Sequence, residues 1–193
     1  MRLLPPPAAA SWIHRGARDG FEVAFFATWA AGARLRGHTT ANESGSLWSV
    51  VYDVAVDAAW RTLAVSATTA TAAGVREVRL RRDEGDRWTV DGEHRPELDG
   101  CVDVDLESSA VTNTLPLHRL DILAGASVDV PAAFIRADDL RVERLEQRYS
   151  LVEAGPQRVL VHYESSTFDV ACELVFDGAG LVLDYPGIAV RQA

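Results

Sequence analysis

Hydrophobic and polar residues alternate with period two along much of the chain, in segments of about five to ten residues punctuated by Gly, Asp and Pro, which predicts many short strands. Residues 46–56 carry Leu47, Trp48, Val50, Val51, Tyr52, Val54 and Val56, a β-branched and aromatic content that favours a strand, with 57–60 turning the chain. Val78 and Leu80 alternate with Arg79 and Arg81. Asp83-Glu84-Gly85-Asp86 then turns into a strand over 87–90, and Asp91-Gly92 turns again, so a hairpin ladder is expected. Segments 128–136, 141–152, 158–164, 167–176 and 181–185 continue the pattern, with a tight turn at 177–180. In 141–152, Val142, Leu145, Tyr149 and Val152 partly suit a helix. Leu145, Tyr149 and Leu151 also share one face of a strand, the reading its neighbours favour. With no internal repeat, charge block or linker, the pattern predicts one all-β domain over 12–193 with little helix, a sandwich, roll or barrel, preceded by a flexible segment 1–11.

The richest chemistry lies in 98–120. In the strand predicted for 101–106, Val102, Val104 and Leu106 point one way while Cys101, Asp103 and Asp105 point the other. The two aspartates share a face with Cα atoms about 6.6 Å apart. That spacing suits a glycosidase carboxylate pair, yet two acids on one strand approach a substrate from the same wall. The residue-level expectation is therefore structural: Asp103 and Asp105 pair with Arg119, Arg148 or loop amides, because a shielded carboxylate needs a guanidinium close by. Thr112-Asn113-Thr114 ahead of Pro116 reads as a turn capped by its own side chains. His14, His38, His94, His118 and His162 are dispersed, and no metal-ligand spacing accompanies the aspartates, so neither metal nor cofactor is expected. Hallmarks of serine hydrolases, P-loops and dinucleotide folds are missing from the sequence. Most of the tryptophans and tyrosines read as core.

At 193 residues the chain can build a core without staples. A net charge of −9 argues against nucleic acid or anionic membranes as partners. All nineteen basic residues are arginine. Cys101 and Cys172 are expected to be free thiols. Residues 1–10 are too short and proline-rich for a secretory apolar region, and no apolar run is long enough to span a membrane, so cytoplasmic residence is the expectation.

An ordered set of short motifs runs nearly end to end. It comprises Trp12, Glu22, the Y-x-x-x-x-D-x-x-W spacing of Tyr52, Asp57 and Trp60, then Trp88 with Asp91-Gly92. G-C-V-D-V-D-L follows at 100–106, T-N-T-L-P at 112–116 and Arg119, then Gln147-Arg148-Tyr149, D-Y-P-G at 184–187 and Arg191. With this set the chain resembles a bacterial family described as "putative glycolipid-binding", whose fold is a many-stranded antiparallel spiral β-roll and whose activity is not established. It departs from the family pattern at Ser109-Ala110-Val111, in place of Thr-Pro-Phe, and at His118, in place of an arginine. The resemblance implies a non-enzymatic binder for a glycolipid or lipid-like amphiphile. Asp103, Asp105, Asn113 and Arg119 would hold the polar head, with Tyr149 and Tyr185 beside them and apolar strand faces around a tail. Two alternatives stand beside it: a carbohydrate- or lipid-modifying hydrolase using Asp103 and Asp105, and an interaction module with no small ligand. The sequence leaves the oligomeric state open.

Overall fold

Strands pair with their chain neighbours almost throughout. A computed structural model describes residues 3–120 and 125–193. The first half is a ladder of β1 (Ala9–His14), β2 (Asp19–Trp29), β3 (Gly32–Glu43), β4 (Ser46–Asp57), β5 (Thr62–Thr71), β6 (Gly74–Arg82), β7 (Trp88–Val90) and β8 (Glu93–His94). After β9 (Asp103–Leu106) and the helical turn α1 (Thr114–Arg119) come β10 (Ser127–Asp129), β11 (Ala132–Ile135), β12 (Val142–Leu145) and β13 (Gln147–Ala154). The chain ends with β14 (Arg158–Ser165), β15 (Val170–Asp177), β16 (Val182–Tyr185) and β17 (Ala189–Arg191).

Fourteen strands form one antiparallel sheet, in the order β10, β13 to β17, β1, and on to β8. The seam joins the two ends of the chain: β17 pairs with β1, with Trp12 opposite Arg191. The sheet does not close, as its edges are β10 and β8. A second sheet of β12, β11 and β9 contains a parallel pair, β9 on β11. It fills the curl together with α1, for Val104, Leu106, Val111, Leu115 and Ile135 join inward residues of the large sheet in one core. Burial on this scale is the dominant stabilising contribution, at roughly 25 cal/mol per Å² of apolar surface. Polar groups tether filling to sheet: Trp88 Nε1 donates to the Cys101 carbonyl at 2.8 Å, Val104 N to Thr62 Oγ1 at 3.1 Å, and Thr69 Oγ1 to the Ala137 carbonyl at 2.7 Å.

The all-β, single-domain expectation holds, with most strands in one large antiparallel sheet, and several boundaries move. β1 begins at Ala9, ahead of the domain start expected at residue 12, and Leu4 N donates to the Gly178 carbonyl; Met1 and Arg2 lie outside the described residues. The strand expected at 101–106 starts at Asp103, since Cys101 N closes a turn onto the Leu98 carbonyl. Segment 128–136 is two strands, because Pro131 brings no N–H to a ladder and the chain changes sheets there. Segment 141–152 is strand as expected but also splits between sheets. Leu145 packs with Ala132 and Phe134, whereas Tyr149 and Leu151 enter the main core, so these three do not share a face. Both cysteines are free. No helix among the described residues is long and apolar enough to cross a membrane.

Candidate functional site

A cleft of about 360 Å³ opens between the filling and the large sheet. Asp105 and Leu106 reach it from β9, Ser109 and Asn113 from the turn before α1, and Phe134 and Leu145 from the small sheet. Tyr163 and Ser165 come from the end of β14, Phe168 and Val170 from the next turn and strand, and Tyr185, Pro186 and Ile188 from the turn after β16. Arg18, between β1 and β2, completes it with Glu43, Glu107 and Arg136. Apolar and aromatic groups thus stand beside carboxylates, hydroxyls and an amide, the composition of a site for a molecule that is itself mixed.

Asp105 is the central acid of this cleft. Thr112 Oγ1 donates to its Oδ1 at 2.6 Å, and that hydroxyl also accepts the Leu106 N–H at 3.2 Å. Burial pushes the Asp105 carboxyl up to about 6, against the pull of the threonine bond. The same cleft is flanked by an edge-to-face run of rings, Tyr149 to Tyr163 at 5.4 Å and Tyr163 to Tyr185 at 6.0 Å, within the favourable range for aromatic pairs. Burial raises the hydroxyls of Tyr163 and Tyr185 well above the ordinary phenol range. Tyr149 donates to Asn113 Oδ1 at 2.8 Å, which fixes the amide beside the cleft.

Asp103 belongs to a different environment. Arg119 grips it through Nε to Oδ1 at 3.1 Å and Nη2 to Oδ2 at 2.6 Å, and the carboxylate is 1% exposed. Burial raises its pKa while Arg119 opposes the rise. Of the six residues expected at a site, Asp105, Asn113 and Tyr185 line the cleft, Tyr149 supports it through Asn113, and the Asp103–Arg119 pair joins β9 to α1 outside the lining. Arg148, offered as a partner for the aspartates, instead pairs with Asp129 at an exposed position. The turn at 112–114 is only partly self-held: Val111–Asn113 is a 3-10 turn without a side-chain cap, Asn113 Nδ2 donates to the Ala110 carbonyl at 3.5 Å, and Thr112 and Asn113 also bond to β9 and β13.

Behind Ser109 is a buried carboxylate that reasoning from the sequence left outside the site. Glu22, fully buried on β2, accepts from Tyr52 Oη at 2.7 Å, from Ala110 N at 3.1 Å and from Ser109 Oγ. Burial lifts its carboxyl to about 7, the three donors pulling the other way. Tyr52 can cross β3 because Gly37 stands opposite it; a Cβ there would sit 2.1 Å from Oη. The serine and alanine that depart from the family pattern are therefore the residues that touch Glu22. His118, the other departure, stacks on Trp60 at 3.8 Å and sits 2.8 Å from the Ala179 carbonyl, and burial lowers its pKa. Glu22 carries a sequence signal, an acid within an apolar alternating strand. Arg18 carries none that separates it from Arg15.

A model of the family described as "Putative glycolipid-binding" matches residues 9–191. Among solved structures, a DUF1089 family protein from Pseudomonas aeruginosa is similar at 28% identity and a TM-score of 0.76, over 100% of this chain and 97% of its own. A β-barrel-like protein of the domain of unknown function DUF1849 from Brucella abortus shares the fold alone, at 14% identity and a TM-score of 0.55 over 99% of this chain and 95% of its own. No curated protein matches the chain.

Proposed function

The chain belongs to the family described as "putative glycolipid-binding", and on that premise we propose that its cleft is a non-catalytic binding site for an amphiphile, a glycolipid or lipid-like molecule. The observation that carries this reading is the cleft's mixed lining, with Asp105, Ser109 and Asn113 beside Phe134, Phe168 and Ile188. Its volume equals roughly a dozen waters of liquid, enough for a polar head and the first carbons of a tail. Each methylene buried supplies about 0.8 kcal/mol, from which ordering costs are subtracted. Asp105 and Asn113 would bond the head, and Tyr185 would pack against it. A cytoplasmic location goes with this reading, supported by two unpaired thiols.

Binding is favoured over hydrolysis by the position of the acid pair. Asp103 is saturated by Arg119 and does not line the cleft, so the two aspartates do not face one substrate together. The test is direct. Native mass measurement and solvent extraction of the purified protein should reveal a bound amphiphile, or titration with alkyl glycosides and fatty amphiphiles should produce saturable heat that Tyr185→Ala weakens. A protein that carries nothing and ignores every amphiphile added refutes the proposal.

A further inference from the structure

Arg18 lines the cleft with its side chain only 5% exposed, yet its Nε and Nη1 have no hydrogen-bond partner among the described residues. The nearest carboxylate oxygen, Glu43 Oε2, is 3.9 Å from Nη1, beyond hydrogen-bond reach, and already accepts from Trp48 Nε1 at 3.3 Å. The guanidinium carbon lies 5.3 Å from the centre of the Trp48 ring. That cation–π contact orients the group and leaves its N–H donors open. Its other titratable neighbours are His14, which burial and Arg18 itself hold near 4 and so neutral, and Glu22, already bonded to three donors. Other shielded arginines differ: Arg119 has Asp103, and Arg82 has the Thr62 carbonyl and Asp86.

A guanidinium cannot discharge itself by losing a proton. Leaving one buried with open donors is costly, and such orphans in native proteins call for an explanation. The acceptor that best matches a planar cationic fork is an oxyanion, through charge-assisted bonds. We propose that Arg18 binds the oxyanion of the cleft's ligand, a phosphate, sulfate or carboxylate group borne by an amphiphile. The inference rests on the amphiphile reading above and narrows it from neutral heads to anionic ones. A free anion offers the same chemistry, but it would leave the apolar side formed by Phe168 and Ile188 without a partner.

Calorimetric titration of the full chain with octyl phosphate, octyl glucoside and inorganic phosphate separates these cases. The parent should bind octyl phosphate at least about tenfold more tightly than octyl glucoside, and Arg18→Gln should lose at least about tenfold for octyl phosphate. Affinity for octyl glucoside should change far less than affinity for octyl phosphate. Arg18→Lys, which keeps the charge without the fork, should fall between. Without ligand, Arg18→Gln should melt no lower than the parent, because an uncompensated buried charge is removed. Equal affinity of the parent for both octyl compounds, or an Arg18→Gln variant that keeps its octyl phosphate affinity, overturns the oxyanion assignment and leaves the amphiphile reading standing. If Arg18→Gln does not fold, the parent's preference between the octyl compounds decides. Inorganic phosphate bound at Arg18 with no response to either octyl compound supports the oxyanion and overturns the amphiphile. No binding by any of the three overturns both.

Discussion

Asp103 and Asp105 lie two residues apart on β9, in regions built on opposite terms. The Asp103 carboxylate is answered within the chain: it receives two guanidinium bonds from Arg119, and Leu115 and Leu117 of α1, which carries that arginine, are packed into the core. Around Asp105 the answers are partial. One hydroxyl donates to it, Tyr163 and Tyr185 line the same cleft, and Arg18 there has open donors. The cost of unpaired burial is the same in both places. A region that meets that cost internally is scaffold, and one that leaves it unmet is adapted to receive something else. Residue type does not separate the two; the count of partners does.

The sharpest way to break the comparison is to open the closed region. Arg119→Ala should destabilise the fold by about 3 kcal/mol, since removing one partner leaves a buried charge uncompensated, as measured by urea unfolding near neutral pH. Arg119→Met combined with Asp103→Leu should recover most of that loss. An Arg119→Ala variant as stable as the parent would move this pair from scaffold to candidate site.

The second test uses pH. Folding raises the carboxyl of Glu22 from 4.5 to about 7 and that of Asp105 from 3.8 to about 6, so the native state holds these protons more tightly than the unfolded chain. Their stabilising contribution is complete below the unfolded values and is lost as pH rises through the folded ones. Asp57 and Asp139 are lowered and act oppositely in more acidic solution, so the Glu22 contribution is best isolated by difference. The stability of the parent relative to Glu22→Gln should fall by about 3 kcal/mol between about pH 4 and pH 8. A flat difference would show that Glu22 titrates as it does in water.

The smallest effect is expected at Asp105. Asp105→Asn keeps an acceptor for Thr112 and removes a charge that burial already disfavours, so stability near neutral pH should change by less than about 1 kcal/mol. Affinity for an amphiphile should change more than the fold does. A loss as large as that of Arg119→Ala would erase the distinction between the two ends of β9.

Much of this arrangement was legible in the residues. Period-two alternation and turn chemistry mark strands β4, β6, β7 and β14 through β16, and the need of a shielded acid for a partner offers Arg119 beside Arg148 and loop amides. Two kinds of information were not. On β2, hydrophobicity favours Phe21, Val23 and Phe25 as the inward phase. The fold instead buries Glu22 and Ala24 and leaves Phe21 and Phe25 exposed, because Tyr52, admitted by Gly37, and Ser109 supply the acid with partners. The break at Pro131 was written in the chain, but which sheet each side joins was not.

By itself, then, the sequence determined the strands, their turns and the all-β class, since alternation, β-branching and glycine act over a few neighbouring residues. Only the tertiary structure decided which inward polar groups meet. Glu22 is separated from Ser109 by 87 positions and Tyr149 from Asn113 by 36. A local pattern says which side of a strand a group occupies and leaves open what stands opposite, and it is the curl of the sheet around its filling that supplies or withholds a partner.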